Sequence, residues 1–189
     1  MLRSLIFLLF LSFQCHSQEF YATFRWGQKV RFGYFHDPHS FPGWEGGLNL
    51  QFKWDRHSAN LGISFGEFKL YQEVTTSKRT MIRSVFFPVG YSFDIINQRS
   101  WKLNIGPGNK FAFNRPVEKG GVGNSSFQGD WSFNPYLASS CVYHWNWLAT
   151  ELRIEYSVIS GISYHYSNQE LLISLGLTLD MNEINRRIE

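Results

Sequence analysis

The chain has 189 residues, 18 of them Lys or Arg and 15 Asp or Glu, a near balance that gives no surface built for nucleic acid or another polyanion. Aromatics make up 18% of it and mean hydropathy is −0.25. That value reads as soluble, but membrane barrels share it, because their polar residues alternate with apolar ones.

The first stretch reads as a secretory signal. Arg3 precedes a short apolar run from Leu5 to Leu11, too short to cross a bilayer as a helix. Small residues at Cys15 and Ser17 place the cut before Gln18, so residues 1–17 are the expected signal peptide. Anchoring as a lipoprotein through Cys15 is the alternative, and the bulk of Gln14 speaks against it. Cleavage leaves one cysteine, Cys141, so no intramolecular disulfide can form. A secreted chain of this size then needs a core or a closed sheet.

From there the sequence alternates, with the period of two that marks strands having one apolar and one polar face. The first strand covers about 20–34: Phe20, Ala22, Phe24, Trp26, Val30 and Phe32 oppose Tyr21, Thr23, Arg25, Gly27, Lys29 and Arg31. The second, about 48–54, sets Leu48, Leu50, Phe52 and Trp54 against Asn49, Gln51 and Lys53. The third starts near Ala59, and its phase changes near Glu67, where a bulge is expected. The fourth, about 81–95, puts Val85, Phe87, Val89, Tyr91 and Phe93 on one side and Ser84, Gly90, Ser92 and Asp94 on the other; Pro88 removes a ladder donor. The fifth begins at Trp101 with Leu103 and Ile105 against Asn104, Gly106 and Gly108. The sixth (about 133–145) is the least regular. The seventh (about 147–158) opposes Leu152, Ile154 and Tyr156 to Glu151, Arg153 and Glu155, and the eighth (171–181) opposes Ile173, Leu175 and Leu177 to Ser174, Gly176 and Thr178.

Short turns at 55–58, 97–100 and around Asn146 alternate with longer connections at about 36–47, 72–80, 115–132 and 159–169. That rhythm predicts an all-β fold: an eight-stranded antiparallel up-and-down transmembrane β-barrel over 18–181, with both ends and a 182–189 tail on the periplasmic side. Trp54, Trp101, Trp145 and Trp147 flank the short turns, the pattern of an interfacial aromatic girdle. A soluble, lipocalin-like carrier barrel is the architectural rival. Its polar face would meet water and carry long charged side chains, whereas here that face is Asn60-Gly62-Ser64-Gly66 and Ser174-Gly176-Thr178. Small polar residues suit a narrow, side-chain-filled lumen.

Charged residues on the inner face then require partners. Arg25, Lys29, Arg31, Lys53, Lys102, Lys110 and Arg153 are the expected cations, and Glu67, Glu151, Glu155 and Asp180 the expected anions, of a network that blocks conduction. The signal ending Ser17-Gln18, the turn rhythm and the last strand Leu171–Met181 resemble the small outer-membrane barrels of OmpX type and the outer-membrane β-barrel family of the Bacteroidetes. Members of those families usually end on an aromatic residue; this chain continues as Asn182–Glu189.

Chemistry is sparse. His165-Tyr166-Ser167-Asn168 resembles the His-x-Ser-Asn element of outer-membrane lipid A deacylases. That resemblance implies His165 as base and Ser167 as nucleophile, oriented by a later carboxylate. The matching position falls near Leu179, beside the lumen-facing Asp180, and Glu170 is only three residues past Ser167. No catalytic site is therefore expected, with His165, Ser167 and Glu170 as the alternative. His36 and His39 lack a third ligand at metal-binding spacing, so no metal and no cofactor are expected. The expected role is structural, adhesive or ligand-binding through the long connections, where Trp44, Phe127 and Trp131 are candidate contacts. The expected partners are outer-membrane lipids and lipopolysaccharide, or another envelope protein.

Overall fold

The computed structural model describes residues 19–32, 40–71, 79–98, 100–119, 130–158 and 169–188. They form eight strands: β1 (Glu19–Phe32), β2 (Ser40–Trp54), β3 (His57–Tyr71), β4 (Arg79–Asn97), β5 (Trp101–Lys119), β6 (Asp130–Trp145), β7 (Leu148–Val158) and β8 (Gln169–Asp180). Each strand pairs antiparallel with its sequence neighbours, and β1 pairs with β8 to close the barrel. Closure leaves no strand edge, the condition a sheet must meet to lie in hydrocarbon. At the seam Thr23 and Thr178 sit directly opposite each other, their hydroxyls 2.9 Å apart.

The direction of the alternation settles the architecture. On β8, Ile173 and Leu175 are 48% and 69% exposed, while Ser174 between them is 3% exposed. The same inversion holds around the wall. Phe24, Ile63, Phe87, Phe111, Leu137 and Ile154 face outward, and Thr23, Ser64, Asn104, Ser140 and Glu155 are buried inside. A carrier barrel has the opposite polarity. Such a continuous apolar belt is not compatible with water.

Two hairpins close tightly through residues with left-handed backbone, Asp55 at φ 56° and Asn146 at φ 58°. Asp and Asn tolerate this conformation better than other side chains. At the opposite rim the strands run longer than the alternation predicts. β2 begins at Ser40 rather than near Leu48, so Trp44 is a strand residue and not a loop residue. Gly43, Gly46 and Gly47 hide that segment from pattern reading. Their use is spatial: a Cβ on Gly46 would lie 2.7 Å from the indole of Trp26, which stacks on Trp44. Similarly Trp131 belongs to β6, on the outer wall. β4 and β5 stay paired as far as Arg79–Lys119, beyond the last β5–β6 pair at Asn114–Asp130.

Two further expectations are corrected. No bulge occurs at Glu67; the register is continuous there, and the irregularity lies in β4 between Asp94 and Ile96. Glu67 keeps the outward phase and pairs with Arg83 at 3.0 Å, outside the lumen. Above the apolar belt a strand no longer has to present hydrocarbon outward, so the pattern changes without a change of phase. The C-terminal tail is also structured, as α1 (Met181–Ile188). Asp180 caps it: its carboxylate accepts the backbone N–H groups of Asn182 and Glu183 at 3.0 and 3.1 Å. Asp180 therefore serves a helix end and forms no ion pair in the lumen among the described residues.

Leu175→Arg on the outer wall, near the middle of β8, should lower the folding free energy in lipid by about 2–4 kcal/mol. Ser174→Ala, facing inward, should change it by less than about 1 kcal/mol. Urea titration of the barrel folded into vesicles measures both, and equal effects would contradict the inverted polarity.

Candidate functional site

The lumen is the most elaborate feature of the molecule. Toward the rim that carries the long connections, side chains from five strands converge. Lys110 Nζ lies 3.0 Å from Glu45 and 2.5 Å from Glu155. Arg153 holds Glu155 at 3.2 Å, and Lys29 is 3.7 Å from both Glu45 and Glu170. Midway down, Arg25 donates two hydrogen bonds to Glu151, at 2.6 and 3.1 Å. Near the short turns Lys53 meets Asp94 at 2.6 Å, and Lys102 is 3.4 Å from Glu19. Among the described side chains six cations (Arg25, Lys29, Lys53, Lys102, Lys110, Arg153) thus face six carboxylates (Glu19, Glu45, Asp94, Glu151, Glu155, Glu170). This described set balances in charge, as a low-dielectric enclosure favours.

Aromatic rings complete the fill, Tyr21 near the short turns and Phe86 and Tyr136 above it. Phe86 is fully buried inside the barrel, with Lys29 Nζ 4.3 Å from its ring centre and Lys110 at 5.6 Å. Tyr136 lies under Arg153 and Lys110 at 5.5 and 5.8 Å. Ring faces attract cations, more strongly when both are desolvated. Tyr136 fits because the strands beside it, β5 and β4, present glycine: a Cβ on Gly108 would fall 2.2 Å from its ring, and one on Gly90 2.5 Å from its hydroxyl. Among the described residues, a cavity of about 40 Å³ is bordered by Arg25, Glu45, Lys110 and Glu155, and one of about 20 Å³ by Lys53, Asp94 and Lys102. Each has room for a few waters at most. Below them a wider vestibule of about 560 Å³ opens among Glu19, Lys102, His144 and Glu183.

The sequence-derived candidates distribute unevenly. Arg25, Lys29, Lys102, Glu151, Arg153 and Glu155 come together inside. Arg31 sits in β1 across from Glu170, and its side chain lies outside the described residues. Glu67 and Asp180 take the other places given above. Glu45 is hidden in a segment that reads as a loop, and Glu170 in a stretch that draws notice mainly for its nearness to His165. Phe86 has a usable signal, since outward Val85 and Phe87 force the residue between them inward. Of the possible acyl-transfer residues, His165 and Ser167 lie outside the described residues, and Glu170 is committed to Lys29 within the lumen. His36, His39 and Phe127 also lie outside them. Among the described residues no group of three metal-ligating side chains occurs.

On the outer wall aromatics gather at two levels. Trp54, Trp101, Trp145 and Trp147 flank the short turns, with Tyr143 packed edge-on against Trp145. Toward the other rim Trp26 stacks on Trp44, and Trp131 lies against Phe87 and Phe113. On β6 the interval from Trp131 to Trp145 is fourteen residues. At about 3.3 Å per residue and a tilt of about 40°, that interval spans ~35 Å along the normal. An apolar band of about 25 Å with an aromatic ring at each interface has this height.

Glu155→Gln should cost about 3–5 kcal/mol of folding free energy, because it takes from buried Arg153 its ion-pair partner and leaves Lys110 with Glu45 alone. The double variant Glu155→Gln with Lys110→Met should recover part of that loss, measurable as a double-mutant cycle in urea. An unchanged unfolding midpoint in Glu155→Gln would refute the coupling.

No family model matches the sequence, and no curated protein matches it. Solved structures do. Neisserial surface protein A (NspA) matches with a TM-score of 0.65 at 12% identity, over 86% of this chain and 97% of that one. A major outer membrane protein of Thermus thermophilus gives 0.47 at 13% identity, over 85% and 99%. Ail, the attachment invasion locus protein of Yersinia pestis, gives 0.44 at 11% identity, over 87% and 99%. The inverted wall and the likeness to the neisserial barrel agree on one point: the chain has the fold of the small outer-membrane β-barrels.

Proposed function

We propose that this protein is a plugged outer-membrane scaffold with a structural or adhesive role, acting through the segments it displays rather than by transport. The carrying observation is the lumen: among the described residues the buried, ion-paired Lys29, Lys53, Lys110 and Arg153, the half-buried Arg25 and Lys102, and the rings of Phe86 and Tyr136 fill the barrel between its rims, with small cavities of about 40 and 20 Å³ among them. A solute path would require breaking paired charges in a low-dielectric enclosure. Four long connections emerge at one rim, and display on a rigid barrel is where binding residues commonly reside. Trp54, Trp101, Trp145 and Trp147 serve in this reading as the periplasmic-side girdle. Trp44 and Trp131 belong to the opposite girdle.

The OmpX-type, Bacteroidetes-like membership rests on the turn rhythm and the final strand. Partners of this reading are lipopolysaccharide, another envelope protein or an extracellular ligand. The name of Ail speaks of attachment and invasion for that protein; here an adhesive role is carried by the plugged lumen and the displayed segments.

In planar bilayers the purified barrel should give no stable single-channel current, whereas Phe86→Ala with Tyr136→Ala should admit water and small ions. Large stable currents from the unaltered protein would refute the plug. Replacing residues 33–39, 72–78, 120–129 and 159–168 by short turns should leave urea stability nearly unchanged and abolish cell-surface adherence. Retained adherence would place the activity elsewhere.

A further inference from the structure

Register places an unusual row of side chains on the outer wall near the long-connection rim. Directly paired across β2 to β5 are Trp44, Glu67, Arg83 and Arg115, all in the outward phase. One step toward the membrane centre the paired row is Gly46, Phe65, Val85, Phe113 and Trp131, entirely apolar. A charged row thus sits immediately on the edge of the hydrocarbon belt. A cleft of about 440 Å³ runs between the two rows, with Phe65 and Phe113 in its floor and Arg83 and Arg115 at its upper lip.

The charges in this row do not balance. Two arginines face each other directly across β4 and β5, an arrangement that costs stability in a sheet. Glu67 binds Arg83 through Nε at 3.0 Å. Arg83 is still 62% exposed, and Arg115 is exposed with no acidic partner among the described residues. The six described cations of the lumen each have a carboxylate; among the described side chains of this lip one positive charge is left over. Two guanidinium forks at neighbouring cross-strand positions can grip a tetrahedral oxyanion, which also relieves their repulsion.

From this geometry we infer that the lip is a binding site for the phosphorylated headgroup of an outer-leaflet glycolipid. Arg83 and Arg115 hold the phosphate, and an acyl chain lies over Phe65 and Phe113 in the cleft. Charge complementarity and position select this occupant. The cleft opens sideways into the membrane, so an anionic group with a hydrocarbon chain attached meets both rows at once. Glu67 acts as an internal competitor that limits affinity. The inference rests on the membrane-spanning reading above and deepens it by giving the wall a lipid preference.

The test uses the full mature chain in detergent micelles, titrated with diphosphoryl lipid A, its dephosphorylated counterpart and inorganic phosphate, with bound species counted by native mass spectrometry. Diphosphoryl lipid A should bind at least tenfold more tightly than the dephosphorylated lipid. Arg83→Gln with Arg115→Gln should erase that difference, since a hydrogen bond to a charged group contributes roughly tenfold or more. Glu67→Gln should tighten binding several-fold, an effect that loss of fold cannot imitate. Equal binding of the two lipids, or an unchanged preference in the double variant, overturns the site. Binding of inorganic phosphate as tightly as the lipid overturns the lipid occupant. Bilayer recordings on the same preparations separate the outcomes: a silent, folded barrel without lipid preference refutes the lip alone, and a conducting one refutes the plug.

Discussion

A sheet of eight strands encloses a space only as wide as its own side chains, and once its wall faces hydrocarbon no bulk water remains to solvate a charge within. Every ionised group on the inner face must therefore find its counter-ion across the lumen. The rest of the structure answers to this constraint. Lys110 reaches Glu45 on the far side of the barrel as well as Glu155. Arg25 on β1 reaches Glu151 on β7, across β8, at a position where Gly176 keeps the space between them clear. Residues distant in sequence are tied by pairs that exist only when the sheet is closed. The network accordingly rewards closure itself, more than any single hairpin.

The same constraint explains the small residues. Wherever a long cation or a ring lies against the inner wall, the neighbouring strands must leave room for it. Tyr136 lies over Gly108 and Gly90, and Gly66 leaves room for Phe86 and for Lys29. Hydroxyls and amides fill the remaining inner positions with short cross-strand bonds, such as Ser84 to Asn114 and Asn114 to Ser132 at 2.7 and 2.9 Å. These bonds satisfy polar groups without adding charge. The cation–ring contacts at Phe86 show how an apolar side chain can sit in a polar lumen: its face substitutes for part of the solvation that Lys29 has lost.

Most of this is legible in the sequence because a wall between lipid and lumen imposes a strict period of two. Strand number, closure, the short turns and the outward face of β7 and β8 all follow from it. Legibility ends where the constraint ends. Above the hydrocarbon belt neither face must be apolar, so the upper halves of β2 and β5 read as loops, and pattern alone puts Glu45 and Trp44 outside the barrel wall. Glu67 reads as inward for the same reason, through a bulge the strand does not need. The helix at the C-terminus is too short for a period to show, and its one sign, Asp180 followed three residues later by Glu183, is the spacing of an N-terminal cap. Pairing is harder to read than facing. Alternation says that Lys53 looks inward; it does not say that Asp94 waits there, since that depends on how far each strand is staggered around the barrel.

The two faces of the wall then divide the work. Inside, the paired charges and rings fix one closed arrangement, so variation there is expensive. Outside, the requirement is only that the belt be apolar, and many side chains meet it; β7 and β8 use Leu152, Ile154, Ile173 and Leu175, whereas the rim of β1 to β6 is aromatic. Specificity can enter such a wall only where the belt stops and charge becomes permissible again. Arg83 and Arg115 occupy that boundary, at directly paired positions of β4 and β5, whose pairing runs on to Arg79–Lys119. A lipid held there would brace the paired ends of β4 and β5 at the level where the barrel leaves the membrane, coupling the surroundings of the wall to the segments displayed above it.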